Sequence, residues 1–261
     1  MKKILLLSLL SLIAVVQVSA QRHNHRKGDI KIEDVEYKSV VLSYPETKEL
    51  LMFIPVDLTI VDGEEGRIEI SYPVQEEEYI NYGSRDGRKF IIGRDGNKKT
   101  PKNTILCDKI PVRMTVSLSN LCRIFSNSNV DIFIGHDSFN NSLYIQNGLA
   151  MSINAKSITA AESIKILNSG TFTCKVQQLN TPKLEVVTND GFTGMWCSTN
   201  AKHVSYKSNG IDNISMGVAC EDLQIFSRSK GVICFTGTTD QVSLITRRKS
   251  TATIALPELN Q

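Results

Sequence analysis

The chain has 261 residues, of which 41% are hydrophobic and 22% charged, with a net charge of +3 at neutral pH. Loss of two lysines with the N-terminal leader described next leaves 28 basic residues against 27 acidic ones. This near balance gives no electrostatic reason to expect a nucleic acid or an anionic membrane as partner.

The N-terminus has the three parts of a secretory signal peptide. Lys2 and Lys3 provide positive charge, an apolar run extends from Ile4 to Val16, and small residues at 18–20 precede the expected cut. The sequence predicts a signal peptide over 1–20, a disordered segment over 21–29, and an exported protein that is periplasmic, outer-membrane-associated or secreted. The apolar run is short for a membrane span and no second run follows, so no integral membrane segment is expected after processing. An uncleaved anchor is the alternative.

Residues 30–110 contain strand patterns separated by glycines, without a repeat. Because a solenoid exposes unpaired backbone at an open end, these strands are expected to cap or extend a repeat domain that follows. The predicted strands are Val35 to Val41, Leu51 to Val61, Arg67 to Tyr72, Tyr79 to Tyr82 and Lys89 to Ile92.

The second half of the chain repeats with a nearly constant period. Pairs of inward positions recur with starts 21, 20, 20, 19 and 19 residues apart, which is typical of a solenoid. The pairs are Leu143/Ile145, Ile164/Ile166, Leu184/Val186, Val204/Tyr206, Leu223/Ile225 and Val242/Leu244, and Cys122/Ile124 extends them backwards.

Each pair precedes a tight corner and a second alternating strand. Corners such as Asn147-Gly148 and Asp190-Gly191 contain residues that adopt left-handed conformations. Such turns also occur in hairpins, so an antiparallel meander is the main alternative. Only parallel coils require corresponding inward side chains to recur at a constant period, because each stacks on its equivalent one rung away. The sequence therefore predicts an all-β fold, a right-handed parallel β-helix over 111–256, and a C-terminal tail over 257–261. The second strands are expected to point inward at Val130/Ile132/Ile134, Leu149/Met151/Ile153, Phe172/Cys174/Val176, Ile214/Met216/Val218 and Val232/Cys234.

The entry into the repeats resembles a known family. It has a proline-led strand, then a leucine, then a polar turn, and two paired strands precede it. The segments are Lys109 to Val116, Leu121 to Ile124, Ser126 to Ile132, Arg67 to Ile70 and Asp86 to Ile92. From Val41 to Leu256 the chain is similar to the auto-transporter adhesin "head GIN domain" family of exported bacterial β-helix proteins. The resemblance implies an adhesin or surface-interaction module and transfers no catalytic residue.

The cysteines and acidic residues predict no chemistry. Several of the six cysteines that follow the leader alternate with apolar residues, which favours buried thiols, with disulfides as the alternative in an exported protein. Glu221, Asp222 and Asp240 fall in return loops about one rung apart, where solvated surface carboxylates are the simpler interpretation. A polysaccharide lyase or hydrolase is the alternative function that these acids allow. The four histidines lack Cys or Asp partners at suitable spacing, so no metal, cofactor or enzyme activity is expected.

Surface recognition is the remaining function. Tyr72, Tyr79 and Tyr82 flank acidic residues and are expected to be exposed. Trp196 is expected in the core, with a surface position as the alternative, and Arg247 and Arg248 form a basic corner near the last rung. These six residues are the predicted interaction surface, with a glycan or a cell-surface protein as partner. A structural envelope component that forms homo-oligomers is the third hypothesis.

Overall fold

The computed structural model describes residues 35–98, 109–228, 230–247 and 253–260, and these are almost entirely β-strand. The strands before the repeats are β1 (Tyr37–Ser43), β2 (Glu49–Met52), β3 (Val56–Ile60), β4 (Arg67–Pro73), β5 (Ile80–Arg85), β6 (Lys89–Arg94) and β7 (Val112–Ser117), with a 3-10 helix at Val74–Tyr79. The shorter repeat strands are β8 (Arg123–Ser126), β9 (Asn129–Ile134), β10 (Ser138–Phe139), β11 (Leu143–Asn147), β13 (Ser163–Asn168), β15 (Lys183–Thr188) and β17 (His203–Ser208). The longer ones are β12 (Ala150–Ala160), β14 (Thr171–Asn180), β16 (Gly191–Asn200), β18 (Ile211–Ser227), β19 (Lys230–Thr246) and β20 (Thr253–Asn260).

The strands stack as two faces of a parallel β-helix. The first sheet runs β6–β2–β8–β11–β13–β15–β17 and continues through the second halves of β18 and β19. The second sheet runs β7–β3–β9–β12–β14–β16, then the first halves of β18 and β19, then β20. All these pairings are parallel, which confirms the β-helix with coils of about 20 residues and excludes the meander.

The predicted phase of the repeats is present in the register. Leu143 pairs with Ile164, which pairs with Leu184, and the column continues through Val204 and Leu223. The side chains of this column are at most 1% exposed, because each packs on its equivalent one rung away. The neighbouring inward column, which includes Ile145, ends on the last rung at Leu244, and this side chain is 46% exposed.

Three predicted inward positions are wrong. Val232 is exposed and Cys234 is half-buried, and Ile233 and Phe235 point inward instead. The cause is Gly231, which pairs with the buried Asp212 and therefore occupies an inward position itself. The inward residues of β19 are consequently Gly231, Ile233 and Phe235, whereas a corner at Gly231 would have placed them at Val232 and Cys234. Leu149 is also exposed, because it lies in the corner before β12 begins.

The N-terminal strands extend and close the helix at one end. β2 and β3 form a rung that lies between β6/β7 on one side and β8/β9 on the other. Beyond them β5 pairs with β6, β4 with β7, and β1 with β4, all antiparallel. The expected N-terminal extension is therefore confirmed. No helix in the ranges described is long and apolar enough to cross a membrane.

Buried polar residues line the corner between the two sheets. Asn147 donates to the side-chain oxygen of Asn168 at 2.7 Å and to the carbonyl of Thr171 at 2.8 Å. Asn168 repeats the pattern one rung later, because it donates to the carbonyl of Gly191 at 3.0 Å and accepts from the amide of Gly170 at 3.1 Å. These bonds satisfy backbone groups that the corner removes from the sheets.

Candidate interaction surface

A row of outward side chains crosses the outer face of the first sheet, one per rung, and it is called the apolar row because seven of its nine members are apolar, Gln146 and Lys207 being the exceptions. Register pairings connect Ile91, Leu51, Phe125, Gln146, Leu167, Val187, Lys207, Phe226 and Ile245 in that order. Steps of about 4.8 Å between strands give this apolar row a length on the order of 40 Å. Phe53, which is 46% exposed, adds to it because its ring centroid lies 5.6 Å from that of Phe125. Monomeric proteins seldom leave extended apolar surface without a contact function.

A second row on the same face is charged and internally paired. Arg123 lies between Glu49 and Gln146, with its guanidinium nitrogens 3.4 and 3.0 Å from their oxygens. Lys165 donates to Glu185 at 3.0 Å on the next pair of rungs. The cations of this row are thus neutralised, so the apolar row beside it is the distinguishing feature of the middle of the face.

The predicted tyrosines divide between core and surface. Tyr72 is 2% exposed, so the expectation that it faces solvent is wrong. Tyr72 follows Ile68 and Ile70 at every second position of β4, so its side chain points inward with theirs. This alternation, and not the acidic residues nearby in the sequence, determines its burial. Burial raises the pKa of Tyr72 well above its usual value, and its ring lies 5.8 Å from that of Tyr82. Tyr79 is half-buried, and a hydrogen bond to Glu78 raises its pKa.

Tyr82 is half-buried at the N-terminal end of the apolar row. It lines a groove of about 450 Å³ together with Phe53, Ile91, Arg85 and Arg94. Tyr82 pairs with the buried Ile92 and packs against the core, so it lies on the inner side of the first sheet and not on the face that carries the apolar row.

Trp196 lies in the core, as favoured by the sequence, and is 1% exposed. Its ring packs 5.3 Å from Phe192, which stacks on Phe172 at 5.0 Å. Gly194 makes the space, since a Cβ there would lie 3.0 Å from the indole. Trp196 therefore contributes nothing to a recognition surface.

Arg247 is exposed at the C-terminal end of the first sheet, where its guanidinium carbon lies 5.9 Å from the centre of the Phe226 ring. Arg248 lies outside the described residues, as do the leader and the segment 21–29.

The three acids considered for catalysis do not line a common cleft. Glu221 borders a groove of about 570 Å³ at the return corner of the coils, together with Asn180, Asn200 and Lys202. Glu221 and Asp222 both lie in β18 instead of a loop. Asp222 accepts from Gln224 at 2.7 Å and lies 3.9 Å from His203. Asp240 likewise lies within β19, and it does not border this groove.

One histidine has a partner that its local sequence does not reveal. Nδ1 of His136 contacts the carboxylate of Asp62, which lies 74 residues earlier in the chain. The pairing of β3 with β9 brings the two side chains together. Among the described residues, no group of three or more His, Cys, Asp or Glu side chains could hold a metal ion.

A buried carboxylate in the core is the feature that the sequence analysis missed. Asp212 is fully buried, and its Oδ2 accepts hydrogen bonds from Thr188 at 2.7 Å, from Tyr206 at 2.9 Å and from Ser208. Burial raises the pKa of Asp212, and the three hydroxyl donors oppose that rise. Its Oδ1 has no hydrogen-bond partner. The inward phase of Ile214, Met216 and Val218, extended backwards by two residues, would have located it.

Four cysteines, Cys122, Cys174, Cys220 and Cys234, are free thiols. Cys174 is buried, and Cys122, Cys220 and Cys234 are half-buried. Burial raises the pKa of Cys122, Cys174 and Cys220 above the usual thiol value. Cys174 packs as a small apolar group, in agreement with the favoured interpretation, whereas Cys234 alternates with the inward residues Ile233 and Phe235 and is only half-buried.

Comparison with known proteins identifies the fold. No protein-family model and no curated protein matches the chain. A "putative adhesin" from Bacteroides fragilis matches with a TM-score of 0.58 at 15% identity, covering 85% of this chain and 97% of the other. A "putative adhesin" from Parabacteroides distasonis gives 0.57 at 15%, covering 87% and 98%. A "putative lipid binding protein" from the same species gives 0.50 at 12%, covering 85% and 97%. At such identities the similarity establishes a shared β-helix fold, and the "head GIN domain" family remains a resemblance.

Proposed function

We propose that the chain is a non-enzymatic, exported protein of the cell envelope that acts by surface contact, as an adhesin or a related interaction module. The observation that carries the proposal is the apolar row on the outer face of the first sheet. It is long, aligned rung by rung and partly exposed. Of the acids considered for polysaccharide cleavage, Glu221 and Asp240 lie at matching positions of β18 and β19, but only Glu221 borders the groove at the return corner. The names of the similar structures from Bacteroides fragilis and Parabacteroides distasonis support contact in place of catalysis.

The chemistry of the row suits partners that offer an apolar face. Aromatic rings and aliphatic side chains bind the faces of sugar rings or apolar protein surfaces, and the neutralised charged row beside them supplies hydrogen-bonding groups. A glycan or a cell-surface protein fits these features.

The test is binding of purified residues 21–261 to a glycan array, with release of reducing sugar measured on every hit. A Phe125→Ser/Leu167→Ser variant should weaken binding at least about tenfold, because contacts near the centre of an interface dominate its energy. Phe133→Ser is the matched control, since Phe133 is 51% exposed on the outer face of the second sheet. Turnover of a bound glycan, or equal losses in both variants, would contradict the proposal.

A structural role is the second candidate, because the same row could pack against a second copy of the chain. Light scattering coupled to size-exclusion chromatography measures the oligomeric state and so distinguishes the structural role from the interaction module. A dimer that becomes monomeric in Phe125→Ser/Leu167→Ser but persists in Phe133→Ser would favour the structural component. A monomer that binds a foreign partner would favour the interaction module.

A further inference from the structure

The C-terminal end of the apolar row differs from the rest of the face. The ring of Phe226 is surrounded by three cations: Nζ of Lys207 lies 5.6 Å from its centre, and the guanidinium carbons of Arg228 and Arg247 lie at 5.2 and 5.9 Å. Lys207 and Ile245 flank Phe226 on the neighbouring rungs of the first sheet. We call these five residues the cationic patch.

The cations of this patch are not neutralised by the protein. No carboxylate in the described ranges lies within ion-pair distance of Lys207, Arg228 or Arg247. Further along the same face, by contrast, Arg123 and Lys165 each contact a glutamate. Three unpaired cations within 6 Å of one ring repel each other, and an anionic partner would remove that repulsion.

One apolar side chain projects from the edge of the patch, on the last rung of the first sheet. Ile245, which pairs with Phe226 on this outer face, is 55% exposed. A purely polar anion would leave the Ile245 side chain without a contact. Phosphate headgroups above an acyl layer would engage both features, because cations meet the headgroups while apolar side chains enter the boundary beneath them.

We propose that the cationic patch binds an anionic lipid surface and so orients the β-helix with its C-terminal end towards a membrane. The near-neutral charge of the whole chain does not oppose this binding, because electrostatic attraction to lipid acts within about one Debye length and depends on the local charge. The inference rests on the proposed function in one respect, since Phe226 and Ile245 also belong to the apolar row. It adds a partner of defined chemistry at one end of that row.

The test is co-sedimentation of residues 21–261 with vesicles of phosphatidylcholine alone and with vesicles made of equal parts of phosphatidylglycerol and phosphatidylcholine. Binding is expected to the mixed vesicles and to weaken with salt. Lys207→Gln/Arg228→Gln/Arg247→Gln should lower the partition coefficient about a hundredfold, since each cation near a charged surface is worth about a factor of five. The control Lys156→Gln/Lys175→Gln/Lys202→Gln removes the same net charge from exposed positions elsewhere and should bind like the unmodified chain. Ile245→Ser should lower binding about tenfold through lost apolar contact.

Four outcomes would overturn the inference. They are equal binding to both kinds of vesicle, equal losses in the two triple variants, no effect of Ile245→Ser, and binding to soluble heparin without binding to vesicles. The last two would assign the patch to a polyanion instead of a lipid. Each variant is first compared with the unmodified chain by circular dichroism, so that unfolding is not mistaken for lost binding. Glycan binding that depends on Phe125 and Leu167 would be unaffected by any of these outcomes, so the two proposals fail separately.

Discussion

Replacing Asp212 by asparagine should stabilise the protein at neutral pH and change little in acid. Asp212 is fully buried with one oxygen unpartnered, and burial raises its pKa above the usual value of 3.8. A carboxyl group whose pKa is raised by folding contributes stability below its unfolded pKa, and this stability is lost as the pH rises through the folded pKa. Each unit of the rise corresponds to about 1.4 kcal/mol of unfolding free energy.

The side-chain contacts set the size of the effect. Asparagine keeps an oxygen that accepts from Thr188, Tyr206 and Ser208, and it removes the buried charge. We therefore expect Asp212→Asn to gain about 1 to 3 kcal/mol at neutral pH. Asp212→Ala, in contrast, leaves the three hydroxyl groups without their acceptor, and it should cost about 3 kcal/mol at every pH.

Urea titrations between acid and neutral pH would measure these differences. The curve of unfolding free energy against pH should fall for the unmodified chain above the unfolded pKa, relative to the curve for Asp212→Asn. Asp190→Asn removes an exposed carboxylate from a neighbouring corner and should change stability by at most about 0.5 kcal/mol. Parallel curves for the unmodified chain and Asp212→Asn would refute the reasoning.

Three further predictions concern packing in the coils. Gly194→Ala should cost about 1 to 3 kcal/mol in urea unfolding, because the added Cβ lies 3.0 Å from the Trp196 ring, whereas Gly83→Ala meets no atom within 4 Å and should cost less than 1 kcal/mol. Asn168→Ala should lower the unfolding free energy by about 1 to 3 kcal/mol, because it leaves buried backbone groups at the corner unpaired; an unchanged urea midpoint would contradict this role. Cys174 should resist iodoacetamide until urea unfolds the chain, because burial raises its pKa and blocks access, and peptide mass spectrometry would detect early labelling if this is wrong.

The repeats were predictable because every coil obeys the same local rule. Leu143, Ile164 and Leu184 must stack on each other, so the alternation and the period are written in the chain itself. The inward phase fails at Val232, where a glycine takes an inward position beneath the Asp212 carbonyl. A period cannot show this, because the close approach involves the preceding coil.

The N-terminal end and the interaction surface depend on register between distant segments. Tyr72 was expected to be exposed from its acidic neighbours, but its place in β4 relative to the core decides its burial. The apolar row also emerges only when the outward residues of successive strands are aligned. Leu51 and Phe125 are 74 positions apart in sequence and become neighbours through the pairing of β2 with β8. Composition and local spacing contain no information about such pairs.

The position of β2 and β3 between two later pairs of strands determines how this molecule can assemble. Arg123 and Glu49, which join β8 to β2, are 74 residues apart, whereas corresponding residues in the middle coils, such as Asn147 and Asn168, are 21 apart. Closing a longer loop costs more entropy and slows folding, so the middle coils should form first and act as a template for the earlier part of the chain. The first strands to be synthesised are then among the last to find their places. Removing one middle coil would shorten the molecule, but removing β2 and β3 together would separate its closed end from the rest.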